Sequence, residues 1–168
     1  MQALRGQRSG FTLIEILVAA AIVLLLAGMV VPVFDGAVAD AEAASTRQIL
    51  ERARTAVNFY AFQHEEQLPG ENGGNWSEQR LIDQLRLATD EDGDTAAPGT
   101  AGYPYGPYLT DDLGTNPFND LDTIMVLAPG QNMFGPDDST GWVFFAETGD
   151  FRANSSGTDP QGDPIWDL

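Results

Sequence analysis

The segment RSGFTLIEILVAAAIVLLLAGMVVPVF, Arg8 to Phe34, contains the longest uncharged run of the chain. The 19 residues from Ile16 to Phe34 follow Glu15 without a charge. At about 1.5 Å rise per residue, a helix of this length nearly crosses the ~30 Å hydrocarbon core of a bilayer. Arg5 and Arg8 precede the run and acidic residues follow it, so the positive-inside rule places the N-terminus in the cytoplasm. The sequence therefore predicts a single-pass membrane helix.

Glu15 decides between three interpretations of this segment. A cleaved secretory signal fits poorly, because its apolar core usually has about 7–15 residues and a small-residue cleavage site follows it. A plain membrane anchor gains nothing from a carboxylate that costs a few kcal/mol when it is unpaired in lipid. A segment that is cleaved before the apolar run and then packs against its own copies could pair Glu15 with the N-terminal amine of a neighbour.

The stretch GFTLIE, residues 10–15, resembles the processing site of type IV prepilins and type II secretion pseudopilins. The resemblance implies that a prepilin peptidase cuts between Gly10 and Phe11 and methylates the new N-terminal Phe11. Glu15 then becomes the fifth residue of the mature chain and registers subunits through the Phe11 amine of an adjacent copy. The short leader with its arginines also fits this family.

Pro32 falls where many members of the family carry a helix-perturbing proline. A proline inside a helix removes one hydrogen bond and kinks the preceding turn, and Gly28 lies one turn earlier. Pro32 is expected either to kink the helix or, in an assembled filament, to permit local melting.

The resemblance and the patterning together predict a domain layout. Residues 1–10 form the leader, 11–34 the transmembrane and assembly helix, 35–67 the second half of the same helix, and 68–168 a globular head. Apolar residues continue at steps of three and four beyond the membrane segment, which predicts one helix over about residues 12–66. His64 lies near its end, where a cation would suit the helix dipole.

The head is expected to contain one short helix and a short antiparallel β-sheet. Asn75 and Glu78 are spaced as a capping box for a helix over residues 76–88. Strands are predicted at residues 121–128, 142–146 and 151–153, with a hairpin turn at residues 147–150. The fold class is α+β, and this order is similar to the pilin-like heads of major pseudopilins.

Two further stretches of the head are rich in turns. Residues 90–102 are predicted to form an exposed acidic loop. The aromatic stretch 102–109 could offer a carbohydrate-stacking surface, but aromatics that pack the loop onto the head explain it more simply.

Composition excludes several classes of function. The formal net charge is -17, and the chain from Ala88 onward has 15 acidic residues and one arginine. Nucleic-acid binding is therefore not expected, because phosphate contacts need cations. The absence of cysteine excludes disulfides, thiolate zinc sites and cysteine nucleophiles, and one histidine leaves no histidine cluster for a metal. No enzymatic activity is expected.

Calcium is the one cofactor that the acidic residues suggest, since carboxylates are hard oxygen ligands. The run from Asp90 to Asp94 fails the EF-hand spacing, because its glycine falls at loop position four instead of six. Major pseudopilins bind calcium near the C-terminus, which by resemblance makes candidates of the acidic residues there. These candidates are Asp137, Asp138, Asp150, Asp159 and Asp163.

The sequence is thus expected to encode a structural subunit of a type II secretion pseudopilus. By resemblance it forms a homo-oligomeric helical filament with minor pseudopilins, and its partners are the prepilin peptidase and the inner-membrane assembly platform. A surface type IV pilin, major or minor, is the first alternative, with a role in adhesion, motility or DNA uptake. A membrane-anchored binding domain that never polymerises is the second.

Overall fold

The computed structural model describes residues 10–168, apart from the side chains of residues 29–35. The predicted leader up to residue 9 and the side chain of Pro32 lie outside the described residues. The chain divides into two compact units after Val38, the second being Ala39–Leu168. Helix α1, Leu13–Gln63, agrees closely with the helix predicted over residues 12–66. Among the described residues, no helix is both long enough and apolar enough to cross a membrane.

Within the second unit, α1 buries one stripe of side chains. The stripe follows helical spacing, as an amphipathic surface helix requires. Its buried members are Ala43, Thr46, Leu50, Ala53, Ala56, Val57 and Tyr60. This face forms one wall of the core of the head.

The remaining elements are short. They are the strands β1 (Glu71–Asn72) and β2 (Asn75–Trp76), helix α2 (Glu78–Arg86), the strands β3 (Ala88–Thr89), β4 (Thr95–Ala96), β5 (Ile124–Leu127), β6 (Trp142–Phe145) and β7 (Asp150–Ala153), and a terminal 3₁₀ turn (Ile165–Asp167). The fold is α+β, with a long N-terminal helix and small sheets, as predicted.

The main sheet has the order β5–β6–β7, and its pairing corrects one prediction. Strands β6 and β7 are antiparallel across the predicted hairpin turn, but β5 and β6 are parallel. The physical reason lies in the connection, residues 128–141, which is long enough to bring the chain back to the starting edge of β5. Parallel neighbours need such a crossover of about a dozen residues, whereas a tight turn forces antiparallel pairing.

The start of α2 also differs from the prediction. Ser77, and not Asn75, is the N-cap, and its hydroxyl accepts the Arg80 amide hydrogen at 3.3 Å. Asn75 instead pairs with Asn72 in the β1–β2 hairpin. The Glu78 carboxylate accepts the Ile124 amide at 2.7 Å, so it ties α2 to the sheet and leaves the cap to Ser77.

The acidic stretch predicted as an exposed loop folds partly into the β3–β4 hairpin. The Asp90 carboxylate closes its tip by accepting the amide hydrogen of Asp94 at 2.8 Å. From α2, the Arg80 guanidinium and the Gln84 amide each donate to the carbonyl of Gly93 at 2.9 Å. Gly93 has a φ of +78°, and an added Cβ would lie 2.6 Å from the Tyr60 hydroxyl, so only glycine fits this close approach. The β3–β4 hairpin therefore packs against α1 and α2.

Candidate assembly site at the start of the long helix

The predicted cleavage site lies on exposed backbone just before α1. Gly10, Phe11 and Thr12 precede the first helical residue and are exposed, with 84% of Phe11 accessible. A peptidase needs an accessible, non-helical peptide bond, and the bond between Gly10 and Phe11 meets that requirement.

Glu15 is tied to Thr12 in a capping box. The Glu15 carboxylate accepts the Thr12 amide hydrogen at 2.7 Å and the Thr12 hydroxyl at 2.8 Å. In return, the Thr12 hydroxyl lies 3.3 Å from the Glu15 amide and accepts its hydrogen. This reciprocal arrangement satisfies donors that the first turn of a helix otherwise leaves unpaired.

Thr12 is the residue of this site that the sequence patterning left unassigned. Glu15 was expected to pair only with a neighbouring subunit, and no role was expected for Thr12. The sequence does contain the signal for this contact. A threonine three residues before a glutamate, at the start of an apolar run, is the sequence pattern of a capping box. The carboxylate thus has an intrachain partner at the start of the helix.

Phe11 and the first part of α1 expose large apolar side chains on every side. The exposed fractions range from 51% for Ile22 to 84% for Phe11. The set comprises Phe11, Leu13, Ile14, Ile16, Leu17, Val18, Ile22, Val23, Leu24, Leu25 and Leu26. A helix that is apolar all round needs cover from lipid or from other helices. Position 32 lies within α1, and the choice between a kink and local melting at Pro32 stays open.

The five acidic residues predicted as calcium candidates lie at three places in the chain: Asp137 and Asp138 are adjacent, Asp159 and Asp163 share one hydrogen-bonded turn, and Asp150 begins β7. The Asp137 carboxylate accepts the Asn154 amide at 2.7 Å, and hydrogen bonds from Asn154 and Ser139 hold the pKa of Asp137 below its usual range. Asp138 accepts the Ser156 amide at 2.8 Å.

Two of the other three candidates are paired with arginines. Asp159 forms an ion pair with Arg47 of α1 and accepts the Asp163 amide at 2.9 Å. Asp150 pairs with Arg152 at 2.8 Å. Among the described residues, no three acidic or histidine side chains come together as a group that could hold a metal ion. Calcium binding stays a prediction.

His64 is not the cation that its place near the end of the helix suggested. Only 2% of its surface is accessible, and burial lowers the pKa of its imidazole, so the ring is neutral near pH 7. Its neighbours Tyr105 and Tyr108 pack around it, which supports packing as the role of the aromatic stretch.

A comparison with known protein families gives a match that falls on this site. Residues 5–31 match the family model of the prokaryotic N-terminal methylation motif. No curated protein and no solved structure matches the chain. The motif implies membrane anchoring, processing by a prepilin peptidase and filament assembly in general, and it belongs to structural proteins. The N-terminal segment of this chain therefore carries the methylation signal of type IV pilins and pseudopilins.

Proposed function

We propose that the chain is a structural subunit of a type II secretion pseudopilus and has no catalytic role. The observation that carries this proposal is the position of the Glu15 carboxylate. It lies 2.7 Å from the Thr12 amide nitrogen, one residue from the amine that cleavage after Gly10 would create.

The geometry suggests how a mature subunit would bind its neighbour. Cleavage would leave a positively charged amine on Phe11, next to Thr12. A carboxylate has about four acceptor positions, and the capping box engages one Glu15 oxygen. The other oxygen could accept a charge-assisted hydrogen bond from the Phe11 amine of an adjacent copy. Such a bond is strong in a low-dielectric environment.

Burial of the apolar surface of the N-terminal helix would supply the rest of the free energy of assembly. In the proposed pathway the chain inserts in the bacterial inner membrane as a single pass, with the N-terminus cytoplasmic and the head periplasmic. The inner-membrane assembly platform then transfers it, together with minor pseudopilins, into a periplasmic helical filament. Neighbouring helices would replace lipid around the exposed side chains of residues 11–26.

The first test is the mass of the N-terminal peptide of the membrane-extracted protein. We expect it to begin at Phe11 and to carry one added methyl group, because the cleavable bond is accessible and lies within the methylation motif. The control is Gly10→Val, which places a branched side chain at the cleaved bond and should leave the leader attached. A wild-type chain that still begins at Met1, in cells with an active prepilin peptidase, would contradict the proposal.

A second test separates the pseudopilus from a surface pilus, since both kinds of subunit carry this motif. Deleting the gene should stop export of secreted proteins and leave surface filaments unchanged. Complementation with the wild-type gene is the control. Intact export together with lost surface filaments would favour a type IV pilin of adhesion, motility or DNA uptake. The acidic head, whose arginines are few, does not favour direct contact with DNA.

A further inference from the structure

The one histidine of the chain lies at a junction of three segments in the head. His64 follows α1 directly and is buried. Its Nε2 lies 2.9 Å from the Thr89 hydroxyl of β3 and 3.3 Å from the Tyr108 hydroxyl. Its Nδ1 lies 3.5 Å from the carbonyl oxygen of Glu91 at the tip of the hairpin. The imidazole ring therefore contacts the β3–β4 hairpin on one side and residues 105–108, here called the aromatic turn, on the other.

Aromatic packing fixes the ring in this place. The imidazole stacks on Tyr60, one helical turn earlier, with the ring centroids 4.0 Å apart, and Tyr105 meets it edge-on at 5.2 Å. The hairpin and the aromatic turn are also joined to each other, because Thr89 and Tyr105 exchange two backbone hydrogen bonds. The hairpin and the aromatic turn thus form one layer on the end of α1, with His64 beneath it.

We propose that His64 is an acid-sensitive latch of the head. In the neutral form it holds the β3–β4 hairpin and the segment from Tyr105 to Tyr108 against the end of α1, and protonation releases both. This inference concerns the head and does not depend on the proposed filament.

The groups that face His64 do not compensate a positive charge on the ring. Tyr60 from α1 and Tyr108 from the aromatic turn are both neutral, since burial raises the pKa of each phenol. Desolvation has the largest effect and lowers the pKa of His64, whereas the hydrogen bond with the Glu91 carbonyl and the charge of Asp90, both in the hairpin, favour protonation less strongly. Arg80 of α2 acts on the adjacent Tyr60 and adds positive charge on that side. Among the described residues, no carboxylate is hydrogen-bonded to the ring.

The direction of the pH effect follows from proton linkage. A histidine in the unfolded or released chain takes up a proton near pH 6.5, whereas the latched ring does so only at lower pH. The latch is therefore fully stabilising above pH 6.5 and weakens as the pH falls towards the lowered pKa. For one proton, the equilibrium constant for release rises by at most about tenfold per pH unit. The chain has one histidine, so no other imidazole contributes in this range.

Hydrogen exchange of the full chain in detergent micelles tests the latch. The ratio of exchange rates between residues 88–108 and the β6–β7 sheet removes the intrinsic pH dependence of exchange. In the wild type this ratio should rise severalfold between pH 7 and pH 5. In His64→Gln, whose side chain does not titrate, the ratio should not change with pH. A matched control is the double variant His64→Gln/Gln48→His, which returns a histidine to an exposed position of α1 and should behave like His64→Gln.

A direct titration of His64 in the wild type tests the latch even if His64→Gln fails to fold. With one histidine, the imidazole Cε1–H resonance is a single NMR signal, and it should titrate clearly below pH 6.5. A midpoint at or above pH 6.5 would overturn the latch. Equal loss of protection in the hairpin and the sheet, or the same pH dependence in the wild type and the variant, would also overturn it.

Discussion

Replacing Glu15 with glutamine should prevent filament assembly while leaving the chain processed and membrane-bound. The substitution separates the two roles open to the Glu15 side chain, which are capping its own helix and pairing with a neighbouring subunit. Glutamine at the third helical position still accepts the Thr12 amide hydrogen, so the capping box survives. The negative charge is lost, and with it the pairing with the methylated amine of a neighbouring Phe11.

The expected effect is large because the contact repeats at every subunit. A hydrogen bond to a charged group is worth about 1.5–3 kcal/mol, and 2.7 kcal/mol corresponds to roughly a hundredfold change in affinity. A filament needs this contact along its whole length, so a loss of this size should leave the subunits unassembled in the membrane. Sedimentation of sheared filaments and cross-linking in membranes would measure the loss.

Glu51→Gln is the matched control for this experiment. It makes the same chemical change on the same helix, at an exposed position outside the methylation motif, and assembly should stay normal. Normal assembly of Glu15→Gln would mean that Glu15 only caps its own helix. Normal assembly of Glu15→Ala as well would show that assembly needs neither the charge nor the cap at this position. A wild type that forms no filament would favour the non-polymerising anchored domain.

The features that the sequence predicted well are local ones. The long helix is encoded by steps of three and four over many turns, and the methylation motif by adjacent residues of one short segment. Both signals lie within one segment of chain and need no knowledge of the rest. The hairpin between β6 and β7 is local in the same sense, since a short turn, residues 146–149, joins the apolar run of β6 directly to β7.

The features that sequence reasoning missed depend on partners distant in the chain. The parallel pairing of β5 with β6 is decided by the path of residues 128–141, which has no periodic pattern. The strands of the β1–β2 and β3–β4 hairpins have two residues each, too few for alternation to be visible. His64 was assigned from its place on the helix, but Thr89 and Tyr108 determine its environment, and they lie 25 and 44 residues away.

Buried amide side chains are a further example. Asn116 and Asn154 are fully buried, although asparagine is mostly a surface and turn residue. Asn116 donates to the Gly141 carbonyl at 2.7 Å, and Asn154 donates to Asp137 at 2.7 Å. These bonds fasten the crossover between β5 and β6 to the sheet. Their partners could not be inferred from spacing, because no regular element sets the distance between them.

The variant Gly141→Ala, at the end of the crossover between β5 and β6, is the second change with a large expected effect. An added Cβ would lie 2.1 Å from the Leu121 carbonyl oxygen and 2.7 Å from its carbon, both of them backbone atoms. The backbone at Gly141 cannot shift easily, because both its amide and its carbonyl are hydrogen-bonded. Its amide donates to the Thr123 carbonyl at 3.0 Å, while its own carbonyl accepts from the Asn154 amide at 3.0 Å and from the Asn116 side chain.

The methyl group should therefore destabilise the head strongly. Overpacking in a rigid site costs about 1–3 kcal/mol, and we expect the upper end, about 3 kcal/mol, because no flexible side chain can yield. For a chain of this size that corresponds to a loss of about 10 °C in melting temperature. Unfolding of the full chain in detergent, followed by tryptophan fluorescence, to which the buried Trp142 contributes, would measure it.

Gly36→Ala is the control for Gly141→Ala. Gly36 lies in α1 with no neighbouring atom within 4 Å of an added Cβ, and alanine in a helix is favoured over glycine by about 1 kcal/mol. The control should therefore melt no earlier than the wild type. An unchanged melting temperature for Gly141→Ala would show that the crossover does not pass this close to Leu121. Because the damage lies in the head, Gly141→Ala should still be cleaved after Gly10, which would separate processing of the N-terminal segment from folding of the head.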